Sequence, residues 1–210
     1  MGDDDKDIIL FKVITLGDSG VGKTSIIKKF ITNNFEENTM STIGFLTSVK
    51  DMDLKNGTRI RLKLIDTAGQ ENFQSLAKTY IKNSDAVFFV FAHDNRKSFD
   101  NINKWLTQFK DYNESINFAK SFPAYLIGNK CDLEHEIPEE EIEKMKNDNK
   151  FYGYISTSAK DDIGIQRSFE EMGEMLIKIY GKRKNKQNVK LAVKKKKNRN
   201  NCLACGPDLA

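Results

Sequence analysis

Long apolar runs, cysteines and a basic leader are scarce or missing in this 210-residue chain. The longest apolar run, Ala86–Ala92, falls far short of the roughly 18 residues needed to cross a bilayer, so we expect no membrane span. Three cysteines (Cys131, Cys202 and Cys205) are too few for a disulfide framework, which favours a reducing compartment inside the cell. The first residues, Met1–Asp5, are acidic where a secretory signal is basic. These absences together predict a cytoplasmic protein.

Charge is divided unevenly along the chain. Residues 181–210 carry ten Lys or Arg and one acidic residue, whereas the rest carries 24 basic and 29 acidic residues. Hydrophobic residues make up 39 % of the chain, enough for a buried core. We therefore predict an acidic extension (1–7), a folded domain (8–180) and a flexible basic tail (181–210). A mildly acidic body argues against a nucleic-acid-binding domain.

Apolar segments of strand length alternate with segments of helical periodicity, which predicts an α/β fold with helices on both faces of a parallel sheet. A further segment, Phe45–Leu54, is expected to pair antiparallel with its successor, because Asn56-Gly57 is a strong hairpin signal. The other predicted strands are Phe11–Leu16, Arg59–Ile65, Ala86–Ala92, Ala124–Gly128 and Tyr152–Ser156, and the predicted helices are Thr24–Ile31, Ser98–Tyr112, Glu139–Asn147 and Ile165–Tyr180.

A glycine-rich loop follows the first predicted strand and opens the first helix. Its glycines let backbone N–H groups turn inward, and these donors together with the helix N-terminus bind phosphate. Lys23 would place its ammonium on the β- and γ-phosphates, and the Thr24 hydroxyl would ligate Mg²⁺. The bland alternative is a glycine-rich loop with a chance lysine. The candidate phosphate-binding residues are Gly17, Asp18, Ser19, Gly20, Val21, Gly22, Lys23, Thr24 and Ser25.

A second candidate segment follows the strand that ends at Ile65. Asp66 lies at the carboxyl end of that strand, where open parallel sheets bind ligands, and is placed to hold Mg²⁺ through a water. Gly69 can present its N–H to a γ-phosphate, and Gln70 carries both the donor and the acceptor needed to orient an attacking water. Taken alone, the segment also fits a strand-ending turn.

The third candidate segment, Asn129-Lys130-Cys131-Asp132, is suited to recognise the base of a nucleotide. The Asp132 carboxylate can accept hydrogen bonds from N1–H and the 2-amino group of guanine, a pair that adenine lacks. Downstream, backbone N–H groups of Ser158, Ala159 and Lys160 could reach the guanine O6. These segments predict a guanine-nucleotide site.

With these motifs in order, the chain resembles the small GTPases of the Ras superfamily over about residues 8–180. Within that superfamily it is most similar to the Rab family, through Ser41–Gly44, Gly128–Leu133, Ser98–Asn101 with Trp105, and the basic tail with its cysteines. The resemblance implies a three-layer P-loop GTPase fold with a mostly parallel six-stranded sheet and one antiparallel strand. It also implies GTP or GDP and Mg²⁺ as cofactors, and hydrolysis of GTP to GDP.

The resemblance further assigns site residues and partners. Phe35 would pack against the guanine edge, Thr42 would ligate Mg²⁺ when the γ-phosphate is present, and Lys130 and Lys160 would flank the base. An exchange factor, an activating protein and effectors would act on a monomer at the cytosolic face of a membrane in vesicle trafficking. Because the phosphate loop contains no arginine, hydrolysis should be slow until an activating protein supplies one.

Several residues depart from the Rab pattern. Phe45-Leu46-Thr47 follows Gly44, Ile65 replaces a tryptophan, Asn72-Phe73 replaces Arg-Phe, and Tyr80 alone remains of an aromatic trio. We expect all of these departures to face effectors and none to lie in the nucleotide pocket. Two rival interpretations are a non-cycling GTP-bound scaffold and a soluble interaction protein without a prenyl group.

The tail supports membrane attachment by its chemistry rather than by a standard signal. Cys202 and Cys205 follow a run of basic residues, Lys194–Lys197, yet the chain end fits no usual prenylation pattern. We predict lipidation of one or both cysteines. Weaker alternatives are a zinc site at this pair and a nuclear or nucleic-acid-binding signal in the lysine run.

Three further residues have bland interpretations. His93 and His135 are interpreted as surface or loop residues, and Cys131 as a small buried hydrophobe.

Overall fold

A computed structural model describes residues 8–37, 42, 44–67, 79–82, 84–113 and 122–181. Six strands form one sheet in the order β2-β3-β1-β4-β5-β6, and each neighbouring pair is parallel except β2 with β3. This arrangement confirms the predicted mostly parallel sheet and the antiparallel hairpin. The strands are β1 (Ile9–Leu16), β2 (Phe45–Asp53), β3 (Arg59–Thr67), β4 (Ala86–Ala92), β5 (Ala124–Asn129) and β6 (Gly153–Ser156).

Helices pack on both faces of the sheet. They are α1 (Lys23–Thr32), the helical residues 79–81 (α2), α3 (Arg96–Asp100), α4 (Ile102–Tyr112), α5 (Glu139–Asp148) and a helix over 165–181 (α6). Among the described residues, no helix has the length and apolarity that a bilayer span requires.

The prediction of one helix over Ser98–Tyr112 is wrong, because the chain forms two helices that meet at Asn101. The first starts early because the Asn95 side chain accepts a hydrogen bond from the Ser98 N–H and caps it. At Asn101, which ends α3 and precedes α4, the side chain donates a hydrogen bond to Asp18. Neither contact has a periodic signature in the sequence.

Two apolar clusters, one on each face, bury the sheet. On the face of α1 and α6, Phe30 stacks on Phe169 with ring centroids 3.8 Å apart, and Phe169 meets Phe88 edge to face. On the other face, Phe89 packs edge to face on Phe109 of α4. Every residue of β4 and β5 is buried, as expected for strands covered on both sides. The carboxyl ends of the parallel strands therefore meet at one rigid edge, where the candidate segments begin.

Three predictions about individual residues need correction. His93 is fully buried at the end of β4 rather than lying at the surface, although His135 is exposed. The burial of His93 follows from long-range contacts, since the His93 ring stacks on His135 and lies within hydrogen-bond distance of Tyr154 and Ser156. Cys131 is only half-buried. Ile65 is also fully buried and packs in the second cluster, so this departure does not face effectors.

Several predictions fall on residues outside those the structure describes. They concern Gly69 and Gln70, Asn72-Phe73, the extension 1–7, the tail beyond residue 181, and the cysteines Cys202 and Cys205.

Candidate nucleotide-binding site

A cavity of about 360 Å³ opens at the carboxyl edge of the sheet. Its volume lies in the range of small-molecule sites. The described part of its lining comes from the phosphate loop, the segment after α1, the end of β3 and the loops after β5 and β6. Of the predicted site residues, it contains Ser19, Gly20, Gly22, Lys23, Thr24, Ser25, Phe35, Thr42, Asn129, Lys130, Asp132, Ala159 and Lys160.

Two glycines of the phosphate loop are required by close approach. A Cβ at Gly17, whose φ is +150°, would lie 2.1 Å from the Val90 carbonyl oxygen of β4. A Cβ at Gly22, whose φ is +93°, would lie 2.1 Å from Nδ2 of Asn129. Both separations are far below any tolerated contact, and both φ values lie where L-residues are strained. The loop is therefore pressed against β4 on one side and against the end of β5 on the other.

Lys23 is folded into the phosphate loop. Its Nζ donates to the carbonyl oxygens of Gly17, at 2.9 Å, and Asp18, at 2.7 Å. Burial lowers the pKa of Lys23 to about 8, although the carboxylates of Asp66 and Asp18 oppose the shift. An ammonium desolvated in this way gains strongly from an anionic ligand, because a neighbouring negative charge favours its protonated form.

Three oxygen-bearing side chains from different segments meet beside Lys23. The Thr24 hydroxyl lies 2.6 Å from Oδ2 of Asp66 and 2.6 Å from the hydroxyl of Thr42. Burial raises the pKa of Asp66, partly opposed by its hydrogen bond from Thr24. Its Oδ1 is buried without a hydrogen-bond partner among the described residues. The group thus offers hard oxygen donors and one unsatisfied carboxylate oxygen.

This donor set fits Mg²⁺. The ion prefers hard oxygens and commonly takes one or two carboxylates together with waters and substrate phosphates. No group of three or more His, Cys, Asp or Glu side chains that could hold a metal occurs in the part of the chain that the structure describes. A metal at this place would therefore depend on the hydroxyls, Asp66 and oxygens of the ligand itself.

The base segment is tied to the phosphate loop by Asn129. Its Nδ2 donates to the Val21 carbonyl oxygen at 2.8 Å, and its Oδ1 accepts from the Thr157 hydroxyl at 3.2 Å. Asn129 is only 2 % exposed, so these bonds are shielded from water. Lys130 is held by Asp94, with Nζ and Oδ2 3.2 Å apart. Asn129 thus positions the three loops around the cavity.

The remaining predicted residues support the cavity without lining it. Gly17, Asp18, Val21, Asp66 and Ser158 lie outside the described lining, and Val21 and Ser158 are fully buried.

Four lining residues are not among the site residues that the sequence predicts: Glu36, Glu37, Thr67 and Leu133. Glu37 lies 3.7 Å from Nζ of Lys160, so the two charges face each other across the mouth of the cavity. Their only sequence signal is adjacency, since Glu36 follows Phe35 and Leu133 follows Asp132.

Comparisons with known proteins agree with this geometry. The family model of the Ras family matches residues 12–178. The chain is 38 % identical to Ras-related protein Rab-9A of Rattus norvegicus over 163 residues, which are 77 % of this chain and 80 % of that protein. It is 36 % identical to human Ras-related protein Rab-9B over 172 residues (81 % and 85 %). It is 32 % identical to Ras-related protein Rab-13 of Rattus norvegicus over 200 residues (92 % and 95 %). The chain therefore belongs to the Ras superfamily of GTP-hydrolysing small GTPases and, within it, to the Rab family.

Proposed function

We propose that guanine nucleotide binds in the cavity between the phosphate loop and the base segment. The phosphates lie against the backbone of residues 17–24 and the ammonium of Lys23, while Asp132 accepts the two guanine donors. The proposal is supported by the lining residues and by the desolvated state of Lys23. GTP, GDP and Mg²⁺ are the cofactors of the family.

The observation that carries the switch is the convergence of Thr42 on Thr24 and Asp66. Thr42 belongs to the segment before β2, so its hydroxyl connects that segment to the phosphate loop. Bound Mg²⁺ would neutralise charge on the β- and γ-phosphates next to these oxygens. Loss of the γ-phosphate would weaken the interaction that holds Thr42 beside the Mg²⁺ site, and its segment would be released.

In the hydrolytic step, water attacks the γ-phosphorus in line and the bond to the bridging β–γ oxygen breaks. Lys23 offsets the charge that develops on the phosphate oxygens, and Gln70 orients the water. Without an arginine in the phosphate loop, turnover is slow until an activating protein contributes one.

Single-turnover hydrolysis tests the cycle. Parent protein and Gln70→Leu are loaded with GTP, and phosphate release is followed with and without an activating protein. Leucine cannot orient water, so the variant should retain GTP and hydrolyse it at least tenfold more slowly. A parent that retains GTP without turnover would favour the non-cycling scaffold, and equal rates would remove Gln70 from the mechanism.

We also propose that the switch acts in vesicle trafficking on the cytosolic face of a membrane. Rab membership supports this role, as does the pairing of a basic tail with Cys202 and Cys205. Stable attachment takes two signals, such as a lipid chain and a polybasic patch. Intact mass and membrane partitioning of the Cys202→Ser/Cys205→Ser variant test it. An unmodified tail and unchanged partitioning would favour the soluble interaction protein.

Effector choice should differ from that of common Rab proteins. Phe45 at the start of β2 stacks on Tyr80, with ring centroids 4.5 Å apart, and Leu46 is 52 % exposed. An aromatic pair at this place creates an apolar surface beside Thr42. Partners that bind the segment around Thr42 would therefore contact this surface. Affinity capture with the GTP-locked Gln70→Leu form, with Phe45→Ser as control, should yield partners that the control loses.

A further inference from the structure

The side chain of Asp18 ties the phosphate loop to helix α4. Its Oδ1 accepts a hydrogen bond from Nε1 of Trp105 at 2.8 Å, and its Oδ2 accepts one from Nδ2 of Asn101 at 2.7 Å. The partners lie 83 and 87 residues away in sequence, so no local turn produces these contacts. Oδ1 therefore has a directed partner from α4, and Oδ2 has one from the residue that precedes this helix.

Both donors are held by their own surroundings. Trp105 is 9 % exposed and packs in the apolar cluster on the α4 face of the sheet. Asn101 lies at the junction of α3 and α4, and its side chain makes no cap hydrogen bond within α4. Hydrogen bonds with one charged partner are shorter and stronger than neutral ones. Asp18 is thus fixed by Trp105 of α4 and by Asn101 at the start of that helix.

The fixed residue is also in contact with the phosphate-binding group. The Asp18 carbonyl oxygen accepts from Nζ of Lys23, and Gly17 before it is pressed against Val90. Ser19 and Gly20, the next two residues, line the cavity. A shift of Asp18 would therefore move both the ammonium and the backbone donors away from their positions around a phosphate.

The presence of a carboxylate in the phosphate loop requires an explanation, because a negative charge near bound phosphates is unfavourable. Two N–H donors converge on this side chain, and only a carboxylate offers an acceptor oxygen to each. An asparagine would turn its own NH₂ toward one of the donors. The need for two acceptor oxygens, rather than for a negative charge, thus explains why position 18 holds an aspartate.

We propose that Asp18, Asn101 and Trp105 act as a positioning device that holds the phosphate loop in its nucleotide-binding form and slows nucleotide release. This inference rests on the nucleotide site proposed above. The side chains of all three act on the nucleotide through the backbone around Lys23. Helix α4 then becomes part of the nucleotide site although its side chains lie outside the described lining.

Release of a fluorescent GDP analogue from the full chain tests the device. Asp18→Asn should release it about tenfold faster than the parent, equivalent to about 1.4 kcal/mol. If Asp18 acts only by repelling phosphate, the same variant should release it more slowly, so the sign alone decides. Trp105→Phe keeps an aromatic ring but removes the donor, and it should accelerate release to a similar extent. The double variant should fall short of the product of the two single effects, because both changes disrupt the same hydrogen-bonded cluster.

A matched pair of variants at the start of α4 separates positioning from general damage. Asn101→Ala should accelerate release, whereas Asn103→Ala should not, because the Asn103 side chain contacts Asn149 instead. Thermal unfolding of each variant is recorded, and the rates are compared well below the lowest midpoint. If Trp105→Phe does not fold, Asn101→Ala still decides.

The Lys23→Ala variant distinguishes failure of this inference from failure of the proposed nucleotide site. If Lys23→Ala holds GDP as well as the parent, the site is misplaced and the inference falls with it. If Lys23→Ala loses GDP while Asp18→Asn and Asn101→Ala release it at the parental rate, the site stands and the positioning device is refuted.

Discussion

Burial of His93 makes the stability of the fold depend on pH. The ring lies beneath His135, with ring centroids 4.0 Å apart, and its Nε2 is within 3.2 Å of the hydroxyls of Tyr154 and Ser156. Among the residues that the structure describes, Nδ1 of His93 is buried without a hydrogen-bond partner. Desolvation, reinforced by the neighbouring His135, lowers the pKa of His93 to about 4, although Asp94 opposes the shift. The folded protein therefore holds this imidazole neutral.

The direction and size of the effect follow from linkage. An unfolded histidine titrates near pH 6.5, so between about pH 4 and 6.5 the unfolded state binds the extra proton. Stability from this group is then complete above pH 6.5 and decreases as the pH falls toward 4. A pKa difference of about 2.5 units gives a maximum near 3 kcal/mol, of which about 2 kcal/mol is lost between pH 7 and pH 5.

Urea unfolding at pH 7 and pH 5 measures this loss, and Trp105, the single tryptophan, reports the transition. His93→Gln keeps a polar side chain but cannot titrate, so its loss of unfolding free energy over this interval should be about 2 kcal/mol smaller than in the parent. His135→Gln is the matched control, because that ring is exposed and the variant should keep most of the pH dependence. Equal pH dependence in His93→Gln and the parent would refute the reasoning.

Three further predictions concern the base, the loop and the core. Asp132→Asn should weaken GTP and favour xanthine nucleotides, because an amide can donate to the carbonyl that replaces the guanine amine; unchanged GTP affinity would contradict this. Gly17→Ala should abolish stable nucleotide retention, since its Cβ would overlap the Val90 carbonyl oxygen; parental retention in a dialysis assay would disprove the close approach. Phe169→Ala should lower the free energy of unfolding by about 3–5 kcal/mol, because it removes the ring stacked on Phe30; a loss below 1 kcal/mol in urea would contradict this packing.

The sequence was most informative where a signal is local. The strand Ala86–Ala92 was predicted with its observed bounds because all seven residues are apolar and the neighbouring polar residues end the run. The hairpin after Phe45–Asp53 followed from Asn56-Gly57, and Gly57 indeed has a φ of +78°. Periodicity and turn chemistry depend only on nearby residues, so they can be interpreted without knowing the fold.

Contacts between distant segments were beyond such interpretation. The side chain of Asn101 meets Asp18, 83 residues away, and the buried ring of His93 meets Tyr154 and Ser156. Resemblance supplied Thr42 for the cavity, which the structure brings next to Thr24, but adjacency alone did not identify Glu37. The missed features share one cause: their partners lie in segments whose relative placement only the folded chain defines.

The bond between Asn129 and Val21 has a consequence for how the protein folds. It joins residues 108 positions apart, one in the phosphate loop after β1 and one at the end of β5, and a Cβ at the neighbouring Gly22 would overlap Asn129. Contacts of such sequence separation require closure of a long loop and are intrinsically slow to form. The nucleotide pocket should therefore be completed late, after β1 and β5 have joined the sheet through β4. GDP then cannot guide early folding, but by binding only the finished structure it should slow unfolding and raise the transition temperature with its concentration.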